Sequence, residues 1–121
     1  MLRRMNIGIV GSRRRKDYWS VWELIEKLPD NSVIVSGGCK GPDKWATDHA
    51  KIKGRKIIEF LPDLPPSGSP RYEFTRAYYA RNKKIAENVD VLYAFVAPDR
   101  KGGTENTIGY AEELGKEVHI V

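Results

Sequence analysis

The sequence predicts an α/β fold in which five parallel strands form one sheet between two layers of helices. Short apolar segments alternate along the chain with longer segments whose apolar residues recur at helical spacing. Strands that are separated by helices in this way pair in parallel, through right-handed crossovers. The economical arrangement is a Rossmann-like three-layer sandwich with strand order 3-2-1-4-5, which changes direction between strands 1 and 4.

Each strand is predicted from a short apolar run that is bounded by turn residues. The runs cover residues 5–10, 32–36, 56–60, 91–95 and 117–121. Their length and their largely apolar character are typical of strands covered on both faces of a parallel sheet. We therefore expect helices on both sides of this sheet.

The first two helices are predicted from apolar residues on one face. The first follows a basic segment at 13–16 and stops at the turn 29–31, and the second begins at Pro42 and Asp43. Proline suits the first helical turn, and an acidic side chain suits the positive end of a helix. The residues predicted to face the sheet are Tyr18, Val21, Trp22, Ile25 and Leu28 in the first helix and Trp45, Ala46, His49 and Ala50 in the second.

The third helix follows a loop, residues 61–70, that holds four of the seven prolines. Such a segment is neither helix nor central strand, so we expect a surface loop at the rim of the molecule and a helix that begins near Tyr72. The fourth helix begins at the turn 102–104 and ends at Gly115. The residues predicted to face the sheet in the third helix are Phe74, Ala77, Tyr78, Ile85 and Val89.

Arg81 is unexpected, because it falls in the middle of the apolar stripe of the third helix. A buried guanidinium needs a partner. One alternative is an internal carboxylate such as Asp43 or Glu105, and the other is a ligand phosphate, which suits the planar fork of arginine. We favour the phosphate. At 1.5 Å per residue the Cα atom lies about 10 Å above the lower edge of the sheet, and the side chain leans toward the upper edge.

Three glycine turns are predicted at that upper edge, at Gly11, at 37–38 and at 102–103. In open α/β sheets, ligands bind beyond the carboxyl ends of the strands, where the strand order reverses. The free N–H groups at a helix N-terminus favour anions. One such turn is explained equally well as a tight connection, but three at one edge favour a cradle for phosphate.

The net charge of +5 is concentrated in one segment. The first 16 residues hold Arg3, Arg4 and the basic segment 13–16 without any acid, a local charge of +6, so the rest of the chain sums to −1. We expect Arg13, the nearest to the first strand, to contact a phosphate, and its basic neighbours to attract anions at longer range. A patch this local does not indicate a surface that coats a long nucleic acid.

The composition bounds the class of protein. With 121 residues, 40% hydrophobic and 31% charged, the chain is expected to form a single soluble domain over residues 1–121. It has no apolar run long enough to span a membrane, and its one cysteine, Cys39, suits a reducing cytoplasm. The two histidines and the cysteine have no metal-ligand spacing, so we expect no metal site, and nothing in the sequence indicates a separate cofactor.

The order and spacing of several short motifs resemble the SLOG superfamily of Rossmann-like nucleotide-binding domains. These motifs are Gly11-Ser12-Arg13, Ser36-Gly37-Gly38, Gly41-Pro42-Asp43, Arg81-Asn82-Lys83 and Gly102-Gly103-Thr104. The superfamily includes the core of DNA-processing protein A (Smf), the lonely-guy phosphoribohydrolases and small stand-alone YspA/YpsA-like proteins. The resemblance covers nearly the whole chain and is closest to the stand-alone branch.

This resemblance implies that the chain binds a nucleotide or a nucleotide-derived phosphate ligand. In the lonely-guy enzymes, an arginine on this helix and a glutamate after the glycine turn cleave the N-glycosidic bond of a nucleoside monophosphate. Arg81 and Glu105 match them, but Glu105 follows Thr104 directly, unlike the longer motif of the enzymes. The residues expected to bind the ligand are Gly11, Ser12, Arg13, Gly37, Gly38, Asp43, Arg81, Asn82, Gly102, Gly103 and Thr104.

Three functions remain open at this stage. The first and favoured one is a binding or sensing module for a nucleotide, with no chemistry of its own. The second is an N-glycosidase or ribosyl-transfer enzyme that uses Glu105 and Arg81. The third, less favoured, is a protein that binds single-stranded DNA. No membrane partner is expected, and the oligomeric state stays open, with a homodimer as one alternative.

Overall fold

The computed structural model describes residues 4–121, so Arg3, which contributes to the local charge of +6, lies outside the described residues. Five parallel strands form one sheet in the order β3-β2-β1-β4-β5, with four helices between them, and the predicted Rossmann-like fold is thereby confirmed. The elements are β1 (Asn6–Gly11), α1 (Tyr18–Lys27), β2 (Val33–Ser36), α2 (Pro42–Ile52), β3 (Lys56–Glu59), α3 (Arg71–Glu87), β4 (Val91–Phe95), α4 (Gly103–Glu113) and β5 (Glu117–Ile120).

The strands β1 and β4 lie side by side at the centre of the sheet, where the strand order reverses. Their last residues, Gly11 and Phe95, are paired in the register. Beyond that pair, the chain leaves β1 toward α1 on one face and leaves β4 toward α4 on the other. This divergence opens a crevice at the carboxyl edge of the sheet, as expected for an open α/β fold.

Two apolar cores lie on the two faces of the sheet. Alternate strand residues point to opposite faces, so Ile34 joins one core while its neighbours Val33 and Val35 join the other. The helices α1 and α2 pack through Val21, Ile25, Ala46 and Ala50 on the Ile34 side, and α3 and α4 pack through Ile85, Ala86, Ile108 and Ala111 on the opposite side. The predicted three-layer arrangement is confirmed.

The predicted inward face of α1 is wrong at its two aromatic residues. Val21 and Ile25 are fully buried, but Tyr18 and Trp22 are exposed. The two rings meet edge to face at 4.8 Å, and Trp22 stacks at 5.0 Å on the ring of His49. Aromatic contacts along the rim of the helix therefore replace the sheet contacts that helical spacing predicts.

The helix α3 is longer than the sheet face that it covers. Arg81, Asn82, Ile85 and Ala86 are buried, whereas residues 71–80 include no buried residue. The first ten residues of α3 therefore extend about 15 Å beyond the packed half of the helix. Although α3 is the longest helix of residues 4–121, neither it nor any other helix there has the length and apolar character needed to cross a membrane.

Candidate ligand-binding cleft

A cleft of about 820 Å³ opens at the carboxyl edge of the sheet, next to the ends of β1 and β4. The loop after β1, the turn before α2, the middle of α3 and the start of α4 form its lining. Most of the predicted binding residues are brought together there. The predicted residues that line the cleft are Gly11, Ser12, Arg13, Asp43, Arg81, Asn82, Gly102, Gly103 and Thr104, and those that do not are Gly37, Gly38 and Glu105.

Gly37 lies beneath the cleft, between two buried charged groups. A Cβ atom built on Gly37 would lie 2.7 Å from Nη1 of Arg81 and 3.0 Å from Oδ2 of Asp43. Both contacts are tighter than a Cβ atom normally makes, so a side chain at this position would force the buried groups of Arg81 and Asp43 to shift. The missing side chain of Gly37 leaves room for the two charged groups, and its role in ligand binding stays a prediction.

Asp43 joins the first two glycine turns. Its Oδ1 accepts the N–H of Gly11 at 3.2 Å, and its Oδ2 accepts the N–H of Gly37 at 2.9 Å. Burial raises the pKa of Asp43 to about 6, while the N–H of Gly37, the charge of Arg81 and the N–H of Gly11 oppose that rise. Asp43 therefore fixes the ends of β1 and β2 relative to the N-terminus of α2, and each of its carboxylate oxygens accepts one hydrogen bond from the backbone.

Arg81 is buried, as predicted, with 6% of its surface exposed. Its Nε donates to Oδ1 of Asn82 at 2.9 Å, its Nη1 to the carbonyl oxygen of Gly37 at 2.6 Å, and its Nη2 to Sγ of Cys39 at 3.3 Å. Within residues 4–121, no carboxylate forms an ion pair with it. These acceptors are neutral, and a guanidinium has five N–H donors, so two donors remain for an anion, while the nearby carboxylate of Asp43 offsets part of the positive charge.

The neighbouring Asn82 connects Arg81 to the start of α4. Its Oδ1 accepts from Arg81, and its Nδ2 donates to the carbonyl oxygen of Gly103 at 3.4 Å and to Oδ1 of Asn106 at 3.1 Å. The Arg81-Asn82 pair thus joins the β2–α2 turn to the α4 turn across the floor of the cleft. Since these bonds belong to the fold, Arg81→Ala alters the fold as well as any ligand contact and is an unsuitable probe of binding alone.

The start of α4 is open to the cleft. Gly102 has a φ angle of +117°, which favours glycine, and precedes the first helical residue, Gly103. A Cβ atom built on Gly103 meets no atom within 4 Å, and its φ angle is not in the positive range. Neither packing nor backbone conformation therefore requires glycine at position 103, and its small size leaves the helix N-terminus accessible.

The charged residues of the lining are mostly cationic. The cations are Arg13, Arg14, Lys40, Arg81 and Lys101, and the acid is Asp43. Within residues 4–121, Arg13, Lys40 and Lys101 form no ion pair, whereas Arg14 pairs with Asp99. The positive potential of the cleft therefore comes from three loops that converge on one space.

Arg15 has a different role from its basic neighbours. Its Nε and Nη2 donate to the two carboxylate oxygens of Asp17, and its Nη1 donates to the carbonyl oxygens of Val96 and Val121. Its guanidinium also lies 5.4 Å from the ring centre of Phe95. Arg15 thus holds the β1–α1 loop against the end of β4, and it does not line the cleft.

Glu105, the candidate catalytic carboxylate, lies outside the cleft lining. Its Oε2 and Oε1 accept from Nε and Nη2 of Arg100 at 2.8 and 2.9 Å, which is a two-point ion pair. The structure therefore does not bring Glu105 and Arg81 together around one space. Among residues 4–121, no group of three histidine, cysteine or acidic side chains is arranged to hold a metal ion.

Several lining residues were not among the predicted binding residues. They include Cys39 and Lys40 in the β2–α2 turn, Thr75, Tyr78 and Tyr79 on α3, and Lys101 before α4. The two lysines flank glycine turns, and that proximity in sequence was a usable signal. The tyrosines follow the proline-rich loop, which suggests that one could stack on a base, but helical packing explains them as well, because helical spacing does not reveal that α3 extends beyond the sheet.

Comparison with known proteins identifies the fold. No protein-family model and no curated protein matches the chain. The X-ray structure of DNA processing protein A from Streptococcus pneumoniae matches it with a TM-score of 0.80 at 24% sequence identity. The match covers 96% of this chain and 50% of that one, so this chain spans about half the length of its match. Membership of the SLOG superfamily and of its stand-alone branch stays a prediction, and the shared fold is the established result.

Proposed function

We propose that the protein binds a nucleotide, or a nucleotide-derived phosphate ligand, in this cleft and acts as a binding or sensing module. The observation that carries the proposal is the open start of α4 within a cationic lining. Gly103 leaves the first N–H groups of the helix accessible, and Lys101, Arg13 and Lys40 place positive charge around them. Free N–H groups together with cationic side chains are the features that bind phosphate.

A pair of matched variants tests this proposal. Gly103→Asp places a carboxylate at the start of α4, where an acidic side chain favours the helix but repels an anionic ligand. Gly109→Asp makes the same change of charge on an exposed position of the same helix, outside the cleft. We expect titration calorimetry to show binding of at least one of AMP, ADP-ribose and NAD to the wild type and to Gly109→Asp, and at least tenfold weaker binding to Gly103→Asp.

Two results would contradict the proposal. One is the absence of binding of every phosphate compound to a folded wild-type protein. The other is equal binding by the two variants, because the ligand would then bind away from the start of α4. Thermal unfolding of both variants shows whether each retains the fold.

Cys39 offers an independent readout, because it lines the cleft and is the single cysteine of the chain. A ligand that fills the cleft should slow the reaction of its thiol with iodoacetamide. We expect protection by the nucleotide that binds in calorimetry and none by adenosine, which lacks the phosphate. As part of the same proposal we expect the protein to act in the cytoplasm, where such a thiol stays reduced.

Cleavage of an N-glycosidic bond has less support than binding. Such chemistry uses a carboxylate close to the sugar. Glu105 is engaged by Arg100, and the carboxylate of Asp43 accepts two backbone N–H groups. Incubation with AMP, GMP, CMP and UMP, followed by chromatography, should therefore yield no free base, and release of a base that is lost in Glu105→Gln would restore the enzyme hypothesis.

Binding of single-stranded DNA is a second candidate. The solved protein with this fold is named for DNA processing. In the present chain, Tyr18, Trp19 and Trp22 are exposed on α1, directly after the basic segment, and exposed aromatic rings beside cations suit stacked bases. Fluorescence anisotropy with labelled oligothymidine tests it, and we expect Trp19→Ala to weaken binding if a strand follows this surface.

A further inference from the structure

The free half of α3 forms one wall of the cleft. Residues 71–80 include no buried residue, and Thr75, Tyr78 and Tyr79 from this half face the cleft. At 1.5 Å per residue, Tyr79 and Tyr78 lie about 3 and 4.5 Å farther from the sheet than Arg81, along the helix axis. The wall therefore lies directly above the floor of the cleft, which is formed by Arg81 and the start of α4. A ligand bound at this floor would extend along the wall.

The wall is aromatic, whereas the floor is charged and polar. Tyr78 and Tyr79 remain 39% and 44% exposed, although both line a cleft. The guanidinium of Arg81 lies 5.7 Å from the ring centre of Tyr78, so one edge of the wall is already positioned by the floor. Single exposed tyrosines need no special explanation, but two adjacent ones that line one cleft offer aromatic rings to its ligand.

The polar and aromatic parts of the cleft are held in a fixed relation. Asn82 accepts from Arg81 and donates to the carbonyl oxygen of Gly103, which links the start of α4 to the α3 segment that carries the tyrosines. A volume of about 820 Å³ lies within the usual range for small-molecule sites. A ligand that has both an anionic group and a planar ring fits both parts at once.

We infer that the ligand of this cleft carries an aromatic base, which stacks on Tyr78 and Tyr79 while its phosphate lies at the start of α4. This inference rests on the proposed function and makes it more specific. It assigns recognition of the base to α3, and it makes sugar phosphates and inorganic phosphate weak partial ligands. The alternative occupant of the tyrosine wall is a second copy of the chain.

The test compares the dissociation constants of AMP, GMP, CMP, UMP, ribose 5-phosphate and inorganic phosphate for the wild type and for tyrosine variants. Stacking of a base on an aromatic side chain typically contributes a factor of about ten or more. We expect the best nucleotide to bind at least tenfold more tightly than ribose 5-phosphate. Tyr78→Leu and Tyr79→Leu should remove most of that advantage without changing the affinity for ribose 5-phosphate.

Two further variants serve as controls. Tyr78→Phe keeps the ring and should bind the nucleotide nearly as the wild type does, so that a loss in Tyr78→Leu reports the ring itself. Tyr72→Leu changes an exposed tyrosine of the same helix that does not line the cleft, and it should have no effect. Sedimentation of each variant reports the oligomeric state.

The outcomes separate this inference from the proposed function. If ribose 5-phosphate binds as tightly as every nucleotide, or if both leucine variants bind nucleotides normally, the base does not stack on α3 and the inference fails while phosphate binding stands. If no phosphate compound binds, the proposed function fails and the inference fails with it. Dissociation of a dimer in the leucine variants, with nucleotide affinity unchanged, would assign the tyrosines to a subunit contact.

Discussion

At the scale of single residues, the centre of the cleft floor is an arrangement of two opposite charges around one glycine. Asp43 and Arg81 lie on either side of Gly37, and each is bonded mainly to backbone or neutral groups. Each charge has its own hydrogen bonds and no close ion pair, so neither is fully compensated in a buried setting. The pKa of Asp43 is consequently sensitive to its surroundings.

The raised pKa of Asp43 predicts a specific effect of pH on stability. Its folded pKa of about 6 exceeds the ordinary value of 3.8, so the folded state binds the proton more tightly and the contribution of Asp43 to stability falls as pH rises from about 4 to about 6. By this difference in pKa, the loss amounts to about 3 kcal/mol. Urea unfolding from pH 4 to 7 should show it as a declining difference between the wild type and Asp43→Asn.

The difference in free energy of unfolding between the wild type and Asp43→Asn reports Asp43 alone, because the other carboxylates titrate in both proteins. Asp17, for example, has its pKa lowered by Arg15, and its contribution to stability is therefore lost at low pH. A difference that stays constant across this pH range would mean that Asp43 has an ordinary pKa.

At the scale of elements, a buried arginine ends the first helix. Within α1 and the turn after it, the carbonyl oxygens of Ile25, Leu28 and Pro29 accept from the guanidinium of Arg55, which lies just before β3. The last carbonyl groups of a helix lack partners inside the helix, and a cation suits its negative end. Arg55 therefore ties α1 to the edge of the sheet.

Removal of this cap should destabilise the protein. Arg55→Ala leaves three carbonyl groups without that donor, and we expect a loss of about 2–4 kcal/mol, since bonds that involve charged groups are the stronger ones. Lys51→Ala, a nearby exposed change, should alter the free energy of unfolding by less than about 0.5 kcal/mol. Denaturant unfolding measures both, and similar losses in the two variants would contradict the capping role.

The helix α3 shows where periodicity misleads. Helical spacing correctly places Arg81 and Ile85 inward, because both lie over the sheet. The same spacing predicts Tyr78 inward, yet this residue is exposed because the sheet ends beneath it. A periodic pattern reports which residues share a face of the helix, but it does not report how far the partner surface extends.

At the scale of the whole molecule, the strand order and the edge that carries the cleft were both predictable. They follow from the alternation of strands and helices and from the reversal of strand order, which are properties of the chain as a whole. The different surroundings of the individual glycines were not predictable from the sequence. A side chain at Gly37 would crowd Arg81, whereas one at Gly103 would meet no atom, and that distinction depends on neighbours far away in sequence.

The concentration of positive charge predicts how salt should affect binding. A nucleotide with about two charges should lose at most about tenfold in affinity between 50 and 200 mM salt. A single strand that contacts about six phosphates should lose a few hundredfold over the same range. Measurements of the dissociation constants at several salt concentrations therefore distinguish the two candidate ligands. Tight binding of oligothymidine at low salt that weakens steeply with added salt would favour single-stranded DNA as the ligand.

The chain of hydrogen bonds from Gly37 through Arg81 and Asn82 to Gly103 has a mechanical consequence. Opening of the β2–α2 turn breaks the bond from Arg81 to Gly37 and thereby loosens the Arg81-Asn82 pair that also holds the α4 turn. A ligand bound at the start of α4 should therefore make local opening of the β2–α2 turn rarer, even without contacting that turn. Deuterium uptake at the amides of residues 37–40 should slow when the α4 end is occupied, so the two turns report on each other.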